Sequence, residues 1–216
     1  VPEFAQVNNK VITAEVRQGQ QVIARRGAML AYSGRIVFSP LTSGQGAGGM
    51  LGRHLAGESS AMMLADGDGT IHYGYRGLHT SVVVLDPAGP MSVESDRLLA
   101  YDATLQASVV FLAQQGGLKG AVRGAVTGQG LFTTQLGGAG CVAILAHGGT
   151  IALPVTPDRP VMVDPQAYVA HTGPLHVEVT ASVGWRDAVG RGSGEAIQLK
   201  VTGTGTVYVQ ASEQKI

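Results

Sequence analysis

The richest glycine stretch in the chain, Gly44-Gln45-Gly46-Ala47-Gly48-Gly49, has the composition of a loop that could cradle a phosphate. Such a loop wraps backbone N–H groups round the anion. It needs a strand before it, a helix after it and, in a P-loop, a closing Gly-Lys-Ser/Thr. Arg53-His54 stands where the lysine motif would be, and no β-α-β pattern surrounds the stretch. It therefore reads as a connection between strands. Asp66-Gly67-Asp68-Gly69 offers two carboxylates to a hard cation such as calcium. The further oxygen ligands of an EF-hand loop, its terminal glutamate included, do not follow, and Asp-Gly is itself turn chemistry.

The remaining reactive side chains are scattered. His54, His72, His79, His147, His171 and His176 include no pair one residue apart with a glutamate nearby, the mark of a cupin-type metal site. Each reads as a surface or core-edge residue, and no metal is expected. Cys141 is the only cysteine, so no intrachain disulfide can form. Its apolar run, Cys141-Val142-Ala143-Ile144-Leu145, suits a thiol buried as a small hydrophobe. No Gly-x-Ser-x-Gly elbow is present, and Gly192-Ser193-Gly194 is a turn signal. Glu94, Asp96 and Asp102 flank a strand and read as solvated. Tyr73 and Tyr75 alternate beside Arg76, a faint version of the aromatic and basic platform that binds single-stranded nucleic acid. Alternation also puts them on one face, as an edge strand at an interface would. The expectation is a chain with no catalytic residues and no cofactor.

The elements that would carry these residues are strands. Of 216 residues, 32 are glycine, about twice the usual share of roughly 7%. The glycines lie between short runs rich in Val, Ile, Thr and Ala, as tight turns between strands require. Hydrophobic residues make up 44%, enough for a buried core. Helix signals are confined to Met50–Leu55 and the stretch 112–115. Fifteen basic and 15 acidic residues balance, without the basic stripe on which phosphate binding depends. The start, Val1-Pro2-Glu3-Phe4, has no secretory pattern, and no apolar run reaches the ~20 residues of a membrane helix. A soluble, cytoplasmic protein without a transmembrane segment is expected.

A repeat organises the strands. Leu30-Ala31-Tyr32, Leu99-Ala100-Tyr101 and Val169-Ala170-His171 recur at intervals of about 70 residues. A turn and a short apolar strand precede each phrase: Val22-Ile23-Ala24, Met91-Ser92-Val93 and Val161-Met162-Val163. Another strand follows each, beginning near Ile36, Leu105 and Leu175. Each copy closes on the pattern Gly-x-Gly-x-β-branched, beginning at Gly67, Gly138 and Gly203 and ending at Ile71, Val142 and Val207, which reads as a hairpin turn. Ile197, Leu199 and Val201 alternate with Gln198 and Lys200, giving one face to a core.

The stretch from Ala24 to Ala31 (Ala-Arg-Arg-Gly-Ala-Met-Leu-Ala) resembles an early motif of the altered inheritance of mitochondria protein 24 family. So do Arg97-Leu98-Leu99-Ala100-Tyr101-Asp102, Gly128-Gln129-Gly130-Leu131-Phe132, Gly194-Glu195-Ala196-Ile197 and the ending from Gly203 to Gln210. The likeness runs from about Val16 to Gln210; the loop from Ser43 to Met50 matches no family pattern. It implies a fold similar to that of the tryptophan RNA-binding attenuation protein, with three such β units in the chain. It also implies a family widespread in bacteria, of ill-defined biochemistry and without established catalytic residues. The mitochondrial relatives are linked to inner-membrane organisation.

The expected architecture is all-β: three tandem β-sandwich-like units in a closed pseudo-threefold arrangement. They form one compact domain, 1–216, with repeats at about 10–78, 79–150 and 151–216. The expected function is that of a non-catalytic β scaffold, a homo-oligomer that binds a protein or membrane-associated partner. The alternatives are a small-molecule-binding or enzymatic β-barrel and, by fold analogy alone, an RNA-binding module. Partner contacts are expected in the segments that differ among copies: 41–57, 114–128 and 185–194. The candidate residues are Met50, Leu51, Arg53, His54, Tyr73, Tyr75, Trp185 and Arg186.

Overall fold

The computed structural model describes residues 3–41, 62–87, 89–111, 132–182, 196–214 and 216. Alternation in the sequence becomes strand after strand. β1 (Phe4–Asn8) leads into β2 (Val11–Val16), β3 (Val22–Arg25), β4 (Met29–Pro40) and β5 (Met62–Tyr73). A second group comprises β6 (His79–Leu85), β7 (Met91–Glu94), β8 (Leu98–Asp102), β9 (Gln106–Phe111), β10 (Phe132–Gly137) and β11 (Gly140–Ala146). The third is β12 (Thr150–Val155), β13 (Val161–Val163), β14 (Tyr168–Thr172), β15 (Leu175–Ser182), β16 (Ala196–Gly203) and β17 (Gly205–Gln210). Among the described residues the only helical element is the 3₁₀ turn Ser95–Arg97, so the protein is all-β.

One sheet runs β1-β2-β5-β3-β8-β11-β6, with β4 added against β5. It nearly closes into a barrel, because β1 returns to β6. There the Thr80 N–H donates to Asn9 O at 2.9 Å and the Gln6 amide donates to Thr80 Oγ1 at 2.7 Å. A second sheet runs β12-β17-β14-β7-β10-β9, and a third β13-β16-β15.

Period-two patterning explains how these sheets bury two faces. In β11, buried throughout, Cys141, Ala143 and Leu145 face one core while Val142, Ile144 and Ala146 face another. β3 does the same, with Val22 and Ala24 on the first core and Ile23 on the second. A third core gathers Val155, Val163, Tyr168, Val177, Leu199, Val201 and Val207. Cys141 is a buried free thiol in the first of these cores.

Each of the three Leu-Ala-Tyr-type phrases sits on a β-bulge. Leu30 is skipped between Met29, opposite Tyr73, and Ala31, opposite His72. Leu99 is skipped between Leu98, opposite Ile144, and Ala100, opposite Ala143. Val169 is skipped between Tyr168, opposite Val209, and Ala170, opposite Tyr208. A bulge puts two consecutive side chains on one face. Accordingly Leu99 and Ala100 share the first core, and Val169 and Ala170 share the second.

The Gly-x-Gly landmarks are sheet crossings and not the hairpin turns their composition suggests. Gly67 lies inside the continuous strand β5, and β10 and β11 pair with other strands rather than with each other. The first glycine of each landmark has positive φ: 131° at Gly67, 112° at Gly138 and 113° at Gly203. At Gly67 a Cβ would collide with the Arg35 carbonyl oxygen, and at Gly69 with that of Ser33. At the first and third landmarks the glycines let two backbones run in near contact, with Gly203 and Gly205 against the carbonyl oxygens of Pro174 and Thr172, whereas at Gly138 only the positive φ asks for glycine. Strand pairing also departs from a closed ring of three equivalent units. Among the described residues the sheets hold eight, six and three strands, and β13 pairs only with β16.

Candidate partner interface

β4 is one of the strands with an open edge among the described residues. Along one edge it follows β5 from Met29 to Pro40. No strand lies on its other edge among the described residues. The backbone bends at Gly34, φ 93°, opposite Gly69. That bend brings Tyr32 edge-on to Phe38 of the same strand, with ring centroids 5.3 Å apart and planes at 72°.

The open segment is apolar and carries no charge before Arg35. Met29, Leu30 and Tyr32 are 42%, 57% and 49% exposed, while every residue of β8 is buried. In β14, too, Tyr168 through His171 are buried. The same phrase is thus flanked by a second strand in β8 and β14, β3 and β7 respectively, whereas in β4 it is exposed and has no such neighbour among the described residues. Natural sheet edges are usually blunted by charge, proline or short length. This one carries only Arg35 and the terminal Pro40, both beyond the segment 29–34. β13 is a second open edge, with Met162 exposed and Val163 buried. Backbone N–H and C=O groups on such edges, flanked by apolar side chains, suit association by strand addition.

The buried counterparts of Tyr32 show what cover does to such a position. Tyr101 stands opposite Ile23, and burial pushes its phenol up to about 12. His171 stands opposite Ser92, with Nδ1 at 2.7 Å from the Tyr168 hydroxyl. Burial drops its imidazole to about 4. Tyr168 is shifted upward by burial first and by the charge of Glu94 second.

Of the residues singled out from sequence, Met50, Leu51, Arg53, His54, Trp185 and Arg186 lie outside the described residues, as do most of 41–57, 114–128 and 185–194. The helix signals at Met50–Leu55 and 112–115 fall there too. Tyr73 ends β5, which is flanked by other strands, and its ring is buried in the first core. Burial raises its phenol, whose oxygen has no hydrogen-bond partner. Tyr75, beyond Gly74, packs against the same core. It is held between the guanidinium groups of Arg25 and Arg76, 5.1 and 5.0 Å from its ring centre. Arg25 is buried and donates to Leu98 O at 3.2 Å and Asp96 O at 2.8 Å, so this stack braces the turn before β8.

The carboxylates read as solvated need correction. Glu94 and Asp102 are buried. Glu94 accepts from Arg97 Nε at 3.2 Å, and Asp102 Oδ1 accepts from the Thr104 N–H at 3.0 Å, holding the turn that leaves β8. Glu94 is compensated by its ion pair with Arg97, whereas Asp102 Oδ2 is buried without a hydrogen-bond partner. Among the described residues, no three His, Cys, Asp or Glu side chains converge as a metal site, and no helix is long and apolar enough to cross a membrane. The residues missed from sequence are Met29, Leu30, Tyr32 and Met162. Their phrases match buried counterparts, so no local signal marks them as exposed.

A family model described as mitochondrial biogenesis AIM24 matches residues 4–212. No curated protein matches the sequence. Among solved structures, the crystal structure of protein SPYM3_0169 from Streptococcus pyogenes superposes with a TM-score of 0.70 at 19% identity. The match covers 98% of this chain and 93% of that one, a likeness of fold alone.

Proposed function

Since the chain belongs to the mitochondrial biogenesis AIM24 family, we propose that it is a non-catalytic β scaffold that works by associating with protein partners, copies of itself among them. The observation that supports this reading is the uncharged apolar segment Met29–Gly34, exposed in β4 although its counterparts in β8 and β14 are covered. An exposed apolar edge of this kind marks an interaction site. A membrane-associated protein is among the partners such an edge would suit. Cytoplasmic placement belongs to the same proposal, and recovery of the chain in an extracytoplasmic fraction would overturn that part.

The test is the mass of the full chain in solution, by light scattering and native mass spectrometry. The expected result is an assembly that grows with concentration beyond the 22.2 kDa of one chain. A strict monomer at every concentration would sink the reading.

A further inference from the structure

One kind of strand junction is made twice within the chain. At the first, β3 pairs antiparallel with β8: Val22 opposite Asp102, Ile23 opposite Tyr101, Ala24 opposite Ala100. Just beyond, the Ala103 N–H donates to Gln21 O at 3.0 Å. At the second, β7 pairs with β14: Met91 opposite Thr172, Ser92 opposite His171, Val93 opposite Ala170. There the Gly173 N–H donates to Pro90 O at 3.1 Å. Register and flanking hydrogen bond are the same.

Each junction joins two kinds of strand, and the chain holds one more of each. β13 is the further strand of the β3 and β7 kind. Val22, Met91 and Val161 stand opposite Ala65, Leu136 and Val201, each two residues before a positive-φ glycine. On its other side β13 has no strand among the described residues. The segment Met29–Ser33 is the further strand of the β8 and β14 kind, bulged at Leu30 as they are at Leu99 and Val169. Its outer side likewise has no strand among the described residues. The sheets β6-β11-β8 and β12-β17-β14 each receive a strand from the preceding group, and β2-β5-β4 receives none.

We propose that β13 of one copy adds to the β4 edge of the next, repeating this junction between chains. Val161 then stands opposite Ser33, Met162 opposite Tyr32 and Val163 opposite Ala31, and the Gly34 N–H donates to Pro160 O. This inference rests on the scaffold reading and names its partner and surface. Both paired segments are free of charge, and pairing covers Met162 and Tyr32, each 49% exposed in the single chain. The two edges are different surfaces, so the contact is heterologous and runs head to tail. It closes a ring or extends a filament according to the rotation between copies.

Cysteine pairing on the full chain tests the register. In a Cys141→Ala background, which removes the only thiol, Tyr32→Cys and Met162→Cys are made separately. They are oxidised alone and then mixed. Directly opposite residues of an antiparallel pair stand within the span of a disulfide. The expected result is a cross-linked dimer with one chain of each variant, at least tenfold more abundant in the mixture than in either sample alone. Equal cross-linking of a single variant with itself would show an isologous contact and overturn the proposal. So would an intrachain disulfide in the Tyr32→Cys/Met162→Cys double variant. Assembly by mass without the mixed cross-link overturns the register and leaves the scaffold reading standing, whereas a monomer sinks both. Circular dichroism matching the parent confirms that the variants are folded.

Discussion

The Tyr168 hydroxyl lies 2.7 Å from Nδ1 of His171, three residues on in β14, and both side chains are buried where β14 meets β7. Burial drops the imidazole to about 4 from its ordinary value near 6.5. Above pH 6.5 the ring is neutral in folded and unfolded chains, and its contribution is complete. Between pH 6.5 and about 4 the unfolded chain takes up a proton that the folded chain refuses, so stability falls as the pH falls. The loss is about 3 kcal/mol across that window. Urea unfolding at a series of pH values should show this slope in the parent and lose it in His171→Gln. Equal slopes in the two proteins would contradict the assignment.

Arg97 is the largest fully buried side chain among the described residues and gathers distant parts of the chain. Its Nε donates to Glu94, its Nη1 to Gln210 Oε1, and its Nη2 to Gln214 O at 3.1 Å. Arg97→Met removes the buried counter-charge of Glu94 and should cost about 3–5 kcal/mol. Arg97→Lys should also be destabilising, because an ammonium cannot reproduce three directed bonds from a planar fork. Chemical denaturation reads both, and a loss below about 1 kcal/mol in Arg97→Met would show that the network carries little.

Two glycines of positive φ should respond differently to alanine. At Gly67, φ 131°, the added methyl meets the Arg35 carbonyl oxygen, whereas at Gly77, φ 70°, it meets open space. Gly77→Ala should cost about 1 kcal/mol from backbone strain alone. Gly67→Ala should cost about 3 kcal/mol or more, since the crossing strands must separate as well. Equal costs would mean that close approach at the crossing is not what selects glycine there.

A charge at the open edge of β13 should weaken association without unfolding the chain. Met162→Lys changes an exposed side chain, so its effect on thermal stability should stay within about 0.5 kcal/mol. The assembled fraction should fall sharply, because lysine on an edge strand opposes strand addition. An unchanged mass distribution would place the contact elsewhere.

The short strands at Val22, Met91 and Val161 were legible in the sequence because apolar runs between turn residues encode strands locally. So was the burial of Cys141, from the run it sits in, and of Leu199 and Val201, from alternation. Their partners were not legible. Leu30 and Leu99 occupy the same phrase, and only tertiary packing puts Leu99 in the first core and leaves Leu30 exposed. Tyr73 was read as a surface ring because alternation reveals a shared face without revealing which side that face meets. The glycine landmarks carried the right conformational demand and the wrong topology, since a hairpin and a crossing of strands ask the same of the backbone. Asp102 and Glu94 were misjudged because their hydrogen-bonding tasks arise only once β8 and the turn before it are in place.

β3 carries Val22 and Ala24 on the first core and Ile23 on the second, so it is a partition wall shared by two compartments. A chain walled in this way has no excisable module. Cut after the first group of strands, the upstream piece keeps β3 with one side stripped, and the downstream piece lacks the wall of its own core. The two pieces, expressed apart, should each be poorly folded, and mixed they should recover the native signal by fragment complementation.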